Sequence, residues 1–296
     1  MVELFEQSPA IFIGVVFAFA MVIGSFLNVV IYRLPLMMQR EWYENCEELA
    51  KEPRPDLPVG QFNLVVPRSR CPFCGTEIAA WQNVPVLSYM MLGGRCGKCK
   101  KTISARYPMV EFFTAVFAAI CAWRFGFGWE GLAAITLTLF LVPITLIDYD
   151  TKLIPDSIVY PLLWIGLVMS LFHPMTGAET LFVSPQEAIV GAIAGYLSLW
   201  SVFWVFKIVT GKDGMGYGDF KLLAALGAWL GWQALPLIVL ASSLVGALYG
   251  IVHIVLGNKG HQTPMPFGPF LSVAGVVSLF WGQEIATSYL HWVGLF

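Results

Sequence analysis

The sequence predicts an all-α polytopic membrane protein, with about eight transmembrane helices and a small cytoplasmic segment that resembles a zinc ribbon with four cysteine ligands. Hydrophobic residues make up 57% of the chain, charged residues only 12%, and the mean hydropathy is +0.72. These values exceed what a soluble globular chain carries. About eight apolar windows lie along the 296 residues, and the one long polar segment contains two Cys-x-x-Cys pairs. We therefore expect a membrane bundle with one metal-binding insertion.

Each apolar window predicts one helix, because roughly 20 apolar residues cross the hydrocarbon core of a bilayer. The windows cover residues 9–32, 108–125, 129–147, 157–173, 187–210, 220–233, 235–257 and 268–292. The window at 220–233 under-spans the hydrocarbon, so it predicts a short helix or a buried half-helix. Asn28 lies in the first window and is expected to make a polar contact between helices. Residues 1–7 lack the basic region of a cleavable signal peptide, so the first window is expected to be a retained span.

The basic residues predict the orientation in the membrane. Eleven of the 17 lysines and arginines lie between Arg33 and Arg106, and the positive-inside rule places that segment in the cytoplasm. The amino terminus is then periplasmic. With eight spans, five of the other basic residues also fall in cytoplasmic turns, and Arg124 alone lies on the far side.

The polar segment begins with a Pro-rich stretch, residues 40–61, that reads as a loop or linker. Two Cys-x-x-Cys knuckles follow and offer four thiolates at the spacing of a zinc ribbon: Cys71, Cys74, Cys96 and Cys99. A closed four-sulfur site is structural, because it leaves no position open for water. Disulfides are the alternative interpretation, which the reducing cytoplasm disfavours.

Two aspartates at the ends of apolar windows are the candidate catalytic residues. Asp148 ends the third window, Asp219 precedes the sixth, and the predicted topology places both at the cytoplasmic face. A charge at membrane depth costs roughly 2.5 to 3.5 kcal/mol, so such acids usually face a cavity or a partner. Two close carboxylates share one proton, which is the arrangement of an aspartic protease. A solvated cytoplasmic turn is the alternative for Asp148, and also for the nearby Asp150 and Asp156.

Glycines alternate with other residues just before the second aspartate, at Gly214, Gly216 and Gly218. Their missing side chains would let an extended peptide approach. Close helix packing is the alternative explanation, and it would account equally for Gly227 and Gly231.

The combined motifs resemble the type IV prepilin peptidases, the bifunctional leader peptidases and N-methyltransferases of bacterial inner membranes. The resemblance covers nearly the whole chain. It is carried by residues 24–35, the cysteine knuckles with residues 103–108 and Glu111, residues 148–156, and the Gly-x-Gly-Asp motif at residues 216–219. It implies that Asp148 is the first catalytic aspartate and Asp219 the second.

The resemblance also implies the reaction and its cofactors. Type IV prepilins and type II secretion pseudopilins would be cleaved after the glycine of a short basic leader, on the cytoplasmic side. The new terminal residue, usually phenylalanine, would then be methylated by S-adenosylmethionine, with Zn²⁺ structural. Gly94 and Glu111 are the candidate cofactor-binding residues. The chain departs from the family pattern at Gly93, where a basic residue is more usual, and in the long stretch 41–61.

The resulting domain prediction has a first transmembrane helix at 1–32, a cytoplasmic zinc-binding and methylation-associated segment at 33–107, and a peptidase domain at 108–296. Membrane lipid surrounds the protein, no nucleic-acid partner is expected, and the oligomeric state stays open. Two alternatives stay open as well. One is a presenilin-like intramembrane protease of other substrates, which leaves the cysteine segment unexplained. The other is a non-enzymatic transporter or assembly scaffold that uses the acids as ion sites.

Overall fold

The computed structural model describes residues 2–46, 57–58, 60–172, 183–256 and 265–293. Within these residues the secondary structure is helical, and the only β pairing is two isolated bridges. The helices of the first half are α1 (Val2–Gln7), α2 (Pro9–Asn45), α3 (Leu87–Met91), α4 (Arg106–Phe125) and α5 (Trp129–Thr151). Those of the second half are α6 (Asp156–Ser170), α7 (Pro185–Thr210), α8 (Tyr217–Leu230), α9 (Leu235–Leu256) and α10 (Gly268–Val293).

Eight of these helices correspond to the eight apolar windows, which confirms the all-α membrane fold for the described part of the chain. Six are long and apolar enough to cross a membrane, and α6 is a shorter apolar helix of 15 residues. The eighth, α8, has 14 residues, and every residue from Asp219 to Trp229 except Lys221 is buried. The expectation of a short, enclosed helix in this window is therefore confirmed.

The first transmembrane helix is longer than the sequence predicts. Helix α2 runs for 37 residues to Asn45, whereas its apolar window ends at 32 and a loop was expected from 40 onward. An ion pair one helical turn apart, between Arg40 Nε and Glu44 Oε1 at 2.7 Å, supports the polar extension. The prediction of a loop was wrong for residues 40–45. Residues 47–56 and 59 lie outside the described part.

The chain divides into two compact units, Met1–Gly131 and Leu132–Phe296. In the first unit α2 packs closely against α4. A Cβ on Gly24 would lie 2.8 Å from the Cα of Glu111, so only glycine permits this approach. The Asn28 side-chain amide donates to the Tyr107 carbonyl at 3.1 Å, which confirms the predicted polar contact between helices.

The second unit is built around α8, the short buried helix. Gly191 on α7 and Gly227 on α8 meet backbone to backbone, with no room for a Cβ on either. On the α6 side, the indole N–H of Trp229 donates to the buried Leu162 carbonyl at 2.8 Å. On the α10 side, Gly275 packs against Leu226, and a Cβ added to Gly275 would lie 2.7 Å from the Leu226 Cδ2 atom. Neighbours on three sides therefore fix the helix that carries Asp219.

Candidate active site and candidate metal centre

Asp148 lies in the last turn of α5, where the helix ends. The Lys152 N–H donates to the Asp148 carbonyl at 2.9 Å, and Lys152 then takes a left-handed backbone conformation, with φ of 60°. This residue stops the helix and directs the chain into Ile154 and the start of α6. The Asp148 side chain is only 4% exposed, so the solvated-turn alternative does not describe it.

Asp219 lies in the first turn of α8. Gly216 has the extended backbone of a helix N-cap, and its carbonyl accepts the Asp219 N–H at 3.3 Å. The Asp219 residue is 6% exposed, and its Oδ1 atom is fully buried without any hydrogen-bond partner among the described residues. An unsatisfied buried carboxylate oxygen is costly, and such an atom marks a place where another group is expected.

The fold brings these two acids into one site, although 71 residues of chain separate them. Their carboxylates are near enough to interact electrostatically. Ile154 lies against two glycines of this region: a Cβ on Gly218, the neighbour of Asp219, would come within 2.7 Å of the Ile154 Cβ, and one on Gly268 within 2.9 Å of its Cδ1. Two buried carboxylates that interact in this way can share one proton, which suits them to acid–base chemistry.

The alternating glycines before Asp219 serve different purposes. Gly218 makes room for Ile154, and Gly214 makes room for the ring of Phe206, whose Cδ1 would lie 2.6 Å from an added Cβ. The packing explanation therefore applies to these two. Gly216 has only Asp219 Oδ2 nearby, at 3.5 Å from an added Cβ, so this position leaves open space beside the acid.

The other acids of this region are exposed. Asp156 forms an ion pair with Lys221, whose Nζ lies 2.7 Å from both carboxylate oxygens and 5.3 Å from the centre of the Tyr160 ring. Asp150 is exposed too. Burial thus separates Asp148 and Asp219 from their neighbours.

Gly268 belongs to the same site, and the sequence did not suggest it. Its backbone N–H donates to Asp148 Oδ2 at 2.9 Å, in a buried hydrogen bond. The available signal was a glycine between two prolines, Pro266 and Pro269, directly before the last apolar window. That pattern predicts a helix start, but it does not reveal which side chain the helix end meets.

The four predicted zinc ligands come together as one candidate metal centre. Their Sγ atoms all lie within 4.8 Å of one another, and the Cys71 and Cys99 Sγ atoms are 3.8 Å apart. Four sulfurs around zinc at about 2.3 Å would be about 3.8 Å apart, so the residues fit the metal. Each knuckle is a tight turn closed by one bridge, Arg70 to Glu77 in the first and Arg95 to Thr102 in the second.

Local hydrogen bonding also prepares one of these cysteines for a metal. A hydrogen bond of 3.3 Å between Cys74 Sγ and Thr76 Oγ1 is the main cause that lowers the pKa of Cys74 to about 6. This hydrogen bond favours the thiolate, which is the metal-binding form, at Cys74, whereas burial and the neighbouring thiols raise the pKa of Cys99 to about 11. No disulfide joins any of the four cysteines.

Glu111 and Gly94 are linked through the short helix α3. The Glu111 Oε2 atom accepts the Val86 N–H at 2.8 Å, just before that helix begins. Val86 has φ of 57°, a strained conformation for a β-branched residue. Gly94, with φ of 67°, lies against Tyr89, whose Oη would be 2.9 Å from an added Cβ.

These contacts bear on the predicted cofactor role. Glu111 is 9% exposed and its Oε2 atom accepts the Val86 N–H, so a direct contact with a cofactor would have to use the remaining acceptor positions of a largely buried carboxylate. The described residues contain no strand followed by a Gly-rich turn and helix that would hold a nucleotide in the usual way.

Comparison with known proteins identifies the family. The model of the bacterial peptidase A24 N-terminal domain matches residues 18–125, and that of the type IV leader peptidase family matches residues 135–251. A prepilin leader peptidase/N-methyltransferase of Pseudomonas aeruginosa is 49% identical over 295 residues, which cover 99% of each chain. Proteins of the same name from Aeromonas hydrophila and Xanthomonas campestris pv. campestris are 50% and 43% identical, each over 98% of both chains.

No solved structure matches the chain. The two family models cover both the α2–α4 unit and most of the unit that contains Asp148 and Asp219, and the relatives match from end to end. In the described part of the chain, six helices are long and apolar enough to cross a membrane. The chain therefore belongs to the type IV leader peptidase family, and it is a multi-pass inner-membrane enzyme, a protease and methyltransferase.

Proposed function

We propose that this protein cleaves type IV prepilins and type II secretion pseudopilins after the leader glycine, with Asp148 and Asp219 as the catalytic dyad. It then methylates the new terminal residue, usually phenylalanine, with S-adenosylmethionine. The observation that carries the proposal is the pair of buried carboxylates, one of which keeps an oxygen without a protein partner. The names of the full-length relatives support this reading over a presenilin-like protease or a transporter.

In the proposed mechanism the two carboxylates hold one proton between them. One takes a proton from water as the water attacks the scissile carbonyl, while the protonated partner polarises that carbonyl and later protonates the leaving amine. The Asp219 Oδ1 atom can serve in this contact because it accepts no hydrogen bond from the described residues. No serine or cysteine nucleophile is needed.

Cleavage is proposed on the cytoplasmic side, with the amino terminus periplasmic. Within the second unit, Lys152 and Lys221 lie beside the same helix ends as the two aspartates, in agreement with the positive-inside rule. In the first unit, basic residues are concentrated between Arg33 and Arg106. A pilin helix leaving the membrane toward the cytoplasm would present its leader at this depth.

We further propose that the segment 33–107 holds structural Zn²⁺ through Cys71, Cys74, Cys96 and Cys99 and serves methylation, whereas 108–296 carries the peptidase. Zinc supplies folding energy to a segment with few apolar residues. S-adenosylmethionine supplies the methyl group when bound. The chain's own contribution is the hydrogen-bonded loop in which Glu111 supports Val86 and Gly94 packs on Tyr89.

A processing assay tests the proposal. The purified protein and its Asp148→Asn and Asp219→Asn variants are incubated with a prepilin and S-adenosylmethionine, and product masses are measured. We expect cleavage and an added methyl mass for the wild type, and no cleavage by either folded variant. Cleavage by the variants would contradict the aspartic mechanism. An unmethylated product would contradict the second activity.

A further inference from the structure

We propose that Gly268 is a positioning residue for the cleavage reaction. Its backbone N–H donates a hydrogen bond that orients the Asp148 carboxylate, and its lack of a side chain leaves room for that carboxylate. The inference rests on the proposed dyad and adds a third chain segment to the site. It assigns a role to the first residue of α10, which is 120 residues from Asp148 along the chain.

The hydrogen bond fixes one oxygen of the dyad. Gly268 N–H donates to Asp148 Oδ2 at 2.9 Å in a buried environment. The first N–H groups of a helix have no partner inside the helix, and the positive end of its dipole favours a carboxylate. A backbone donor cannot rotate away as a side-chain hydroxyl can, so it holds the carboxylate in one orientation.

The two carboxylates are consequently not equivalent. Asp148 Oδ2 is engaged by the protein, whereas Asp219 Oδ1 is buried without a partner in the described residues. Asp148 therefore has a backbone donor that holds it in place, whereas Asp219 Oδ1 accepts no hydrogen bond from the described residues. A reacting group misplaced by about 1 Å can cost on the order of 100-fold in rate. The hydrogen bond that fixes Asp148 is therefore expected to contribute to the rate of cleavage.

The absence of a side chain at 268 matters as well. A Cβ there would lie 2.8 Å from Asp148 Oδ2 and 2.9 Å from Ile154 Cδ1. Ile154 has little room to move away, because it already packs against Gly218. A Cβ added to Gly218 would lie only 2.7 Å from the Ile154 Cβ. An alanine at 268 would therefore push the Asp148 carboxylate out of position.

The test compares four forms of the full-length protein in the prepilin assay: wild type, Gly268→Ala, Gly268→Ala with Ile154→Val, and Gly282→Ala. The valine removes the Ile154 Cδ1 atom but leaves the Asp148 contact. The control position Gly282 lies on α10 as well, and a Cβ there would crowd only the rotatable hydroxyl of Ser278, at 3.0 Å. We expect Gly268→Ala to lower kcat at least tenfold with KM within about threefold, the double variant to stay low, and Gly282→Ala to stay near wild type.

A second measurement keeps the proposal testable if Gly268→Ala does not fold. Amide hydrogen exchange is measured on the wild type and on the Asp148→Ala and Asp219→Ala variants. We expect the peptide that contains Gly268 to exchange faster only when Asp148 is replaced, because only that change removes the acceptor. Equal exchange in all three would overturn the proposal.

Other outcomes are equally decisive. A wild-type kcat in Gly268→Ala would show that the lack of a side chain at this position does not affect cleavage. Recovery of kcat in the double variant would show that Gly268 is needed only for packing against Ile154. If the wild type cleaves, the Asp148→Asn and Asp219→Asn variants do not, and Gly268→Ala does, this inference fails while the proposed function stands. If Asp148→Asn cleaves normally, the proposed function fails first.

Discussion

The backbone N–H of Gly268 donates a hydrogen bond to Oδ2 of Asp148 at 2.9 Å, across 120 residues of sequence. This contact joins the start of α10 to the end of α5. Asp219 enters the same site from the first turn of α8, so three helix ends meet around two carboxylates. Buried polar groups held by helix ends in this way are a common means of fixing catalytic geometry.

Replacing either buried aspartate by asparagine should abolish cleavage. Asparagine keeps the shape but cannot take or give the proton, a contribution worth about 10² to 10⁴ in rate. The measurement is the rate of prepilin cleavage, with thermal unfolding as a check of folding. Asp150→Asn is the matched control, since it lies two residues from Asp148 and is exposed. An equal loss in that control would argue against a specific dyad.

Removing one knuckle cysteine should remove the metal. We expect one zinc per chain in the wild type by elemental mass spectrometry and none in Cys96→Ser, because three thiolates leave the tetrahedral site incomplete. Methylation should fall more than cleavage, as the dyad lies outside this segment. Cys46→Ser is the control, because Cys46 is not part of the four-sulfur cluster. Zinc retained at wild-type level by Cys96→Ser would contradict the site.

Gly94→Ala should reduce methylation of an already cleaved pilin several-fold while cleavage continues. The new Cβ would lie 2.9 Å from the hydroxyl of Tyr89 and disturb the loop that Glu111 supports through Val86. Gly93→Ala is an apt comparison, because Gly93 also has a positive φ but no atom within 4 Å of an added Cβ. Equal effects of the two variants would point to backbone strain alone.

Gly227→Ala should destabilise the protein by about 1 to 3 kcal/mol, the usual cost of overpacking. Its Cβ would overlap the Gly191 carbonyl, with 2.6 Å to the carbonyl carbon, and neither backbone can move without shifting a helix. Thermal or denaturant unfolding in detergent measures the effect. Gly14→Ala, in an open helical position, should be neutral or slightly stabilising. No difference between the two variants would contradict the close approach of α7 and α8.

Breaking the ion pair between Lys221 and Asp156 should have a small effect on stability. The pair is short, at 2.7 Å, but the Asp156 side chain is 49% exposed, and solvent-exposed pairs contribute about 0.2 to 1 kcal/mol. A double-mutant cycle of Lys221→Gln and Asp156→Asn, followed by unfolding, measures the coupling. A coupling well above about 1 kcal/mol would show that the pair holds α6 to α8 more firmly than its exposure indicates.

Composition and the pattern of apolar residues are enough to identify the class of the protein and most of its helices. Apolar windows report burial in lipid directly, and two Cys-x-x-Cys pairs with short internal spacing can reach one metal without knowledge of the fold. The largest departure from the predicted windows is at the end of α2, where polar residues extend the helix beyond the apolar pattern and a local ion pair supports them. The short helix α8 also begins and ends three residues before its window.

Tertiary structure decided which groups surround the two acids. Periodicity locates Asp148 and Asp219 at helix ends, but it does not report that Ile154 fills the space between Gly218 and Gly268. Nor does it report that a backbone N–H, which every residue other than proline carries, is the partner of Asp148. Such contacts depend on how helices distant in sequence pack, and packing is a property of the folded chain rather than of any one segment.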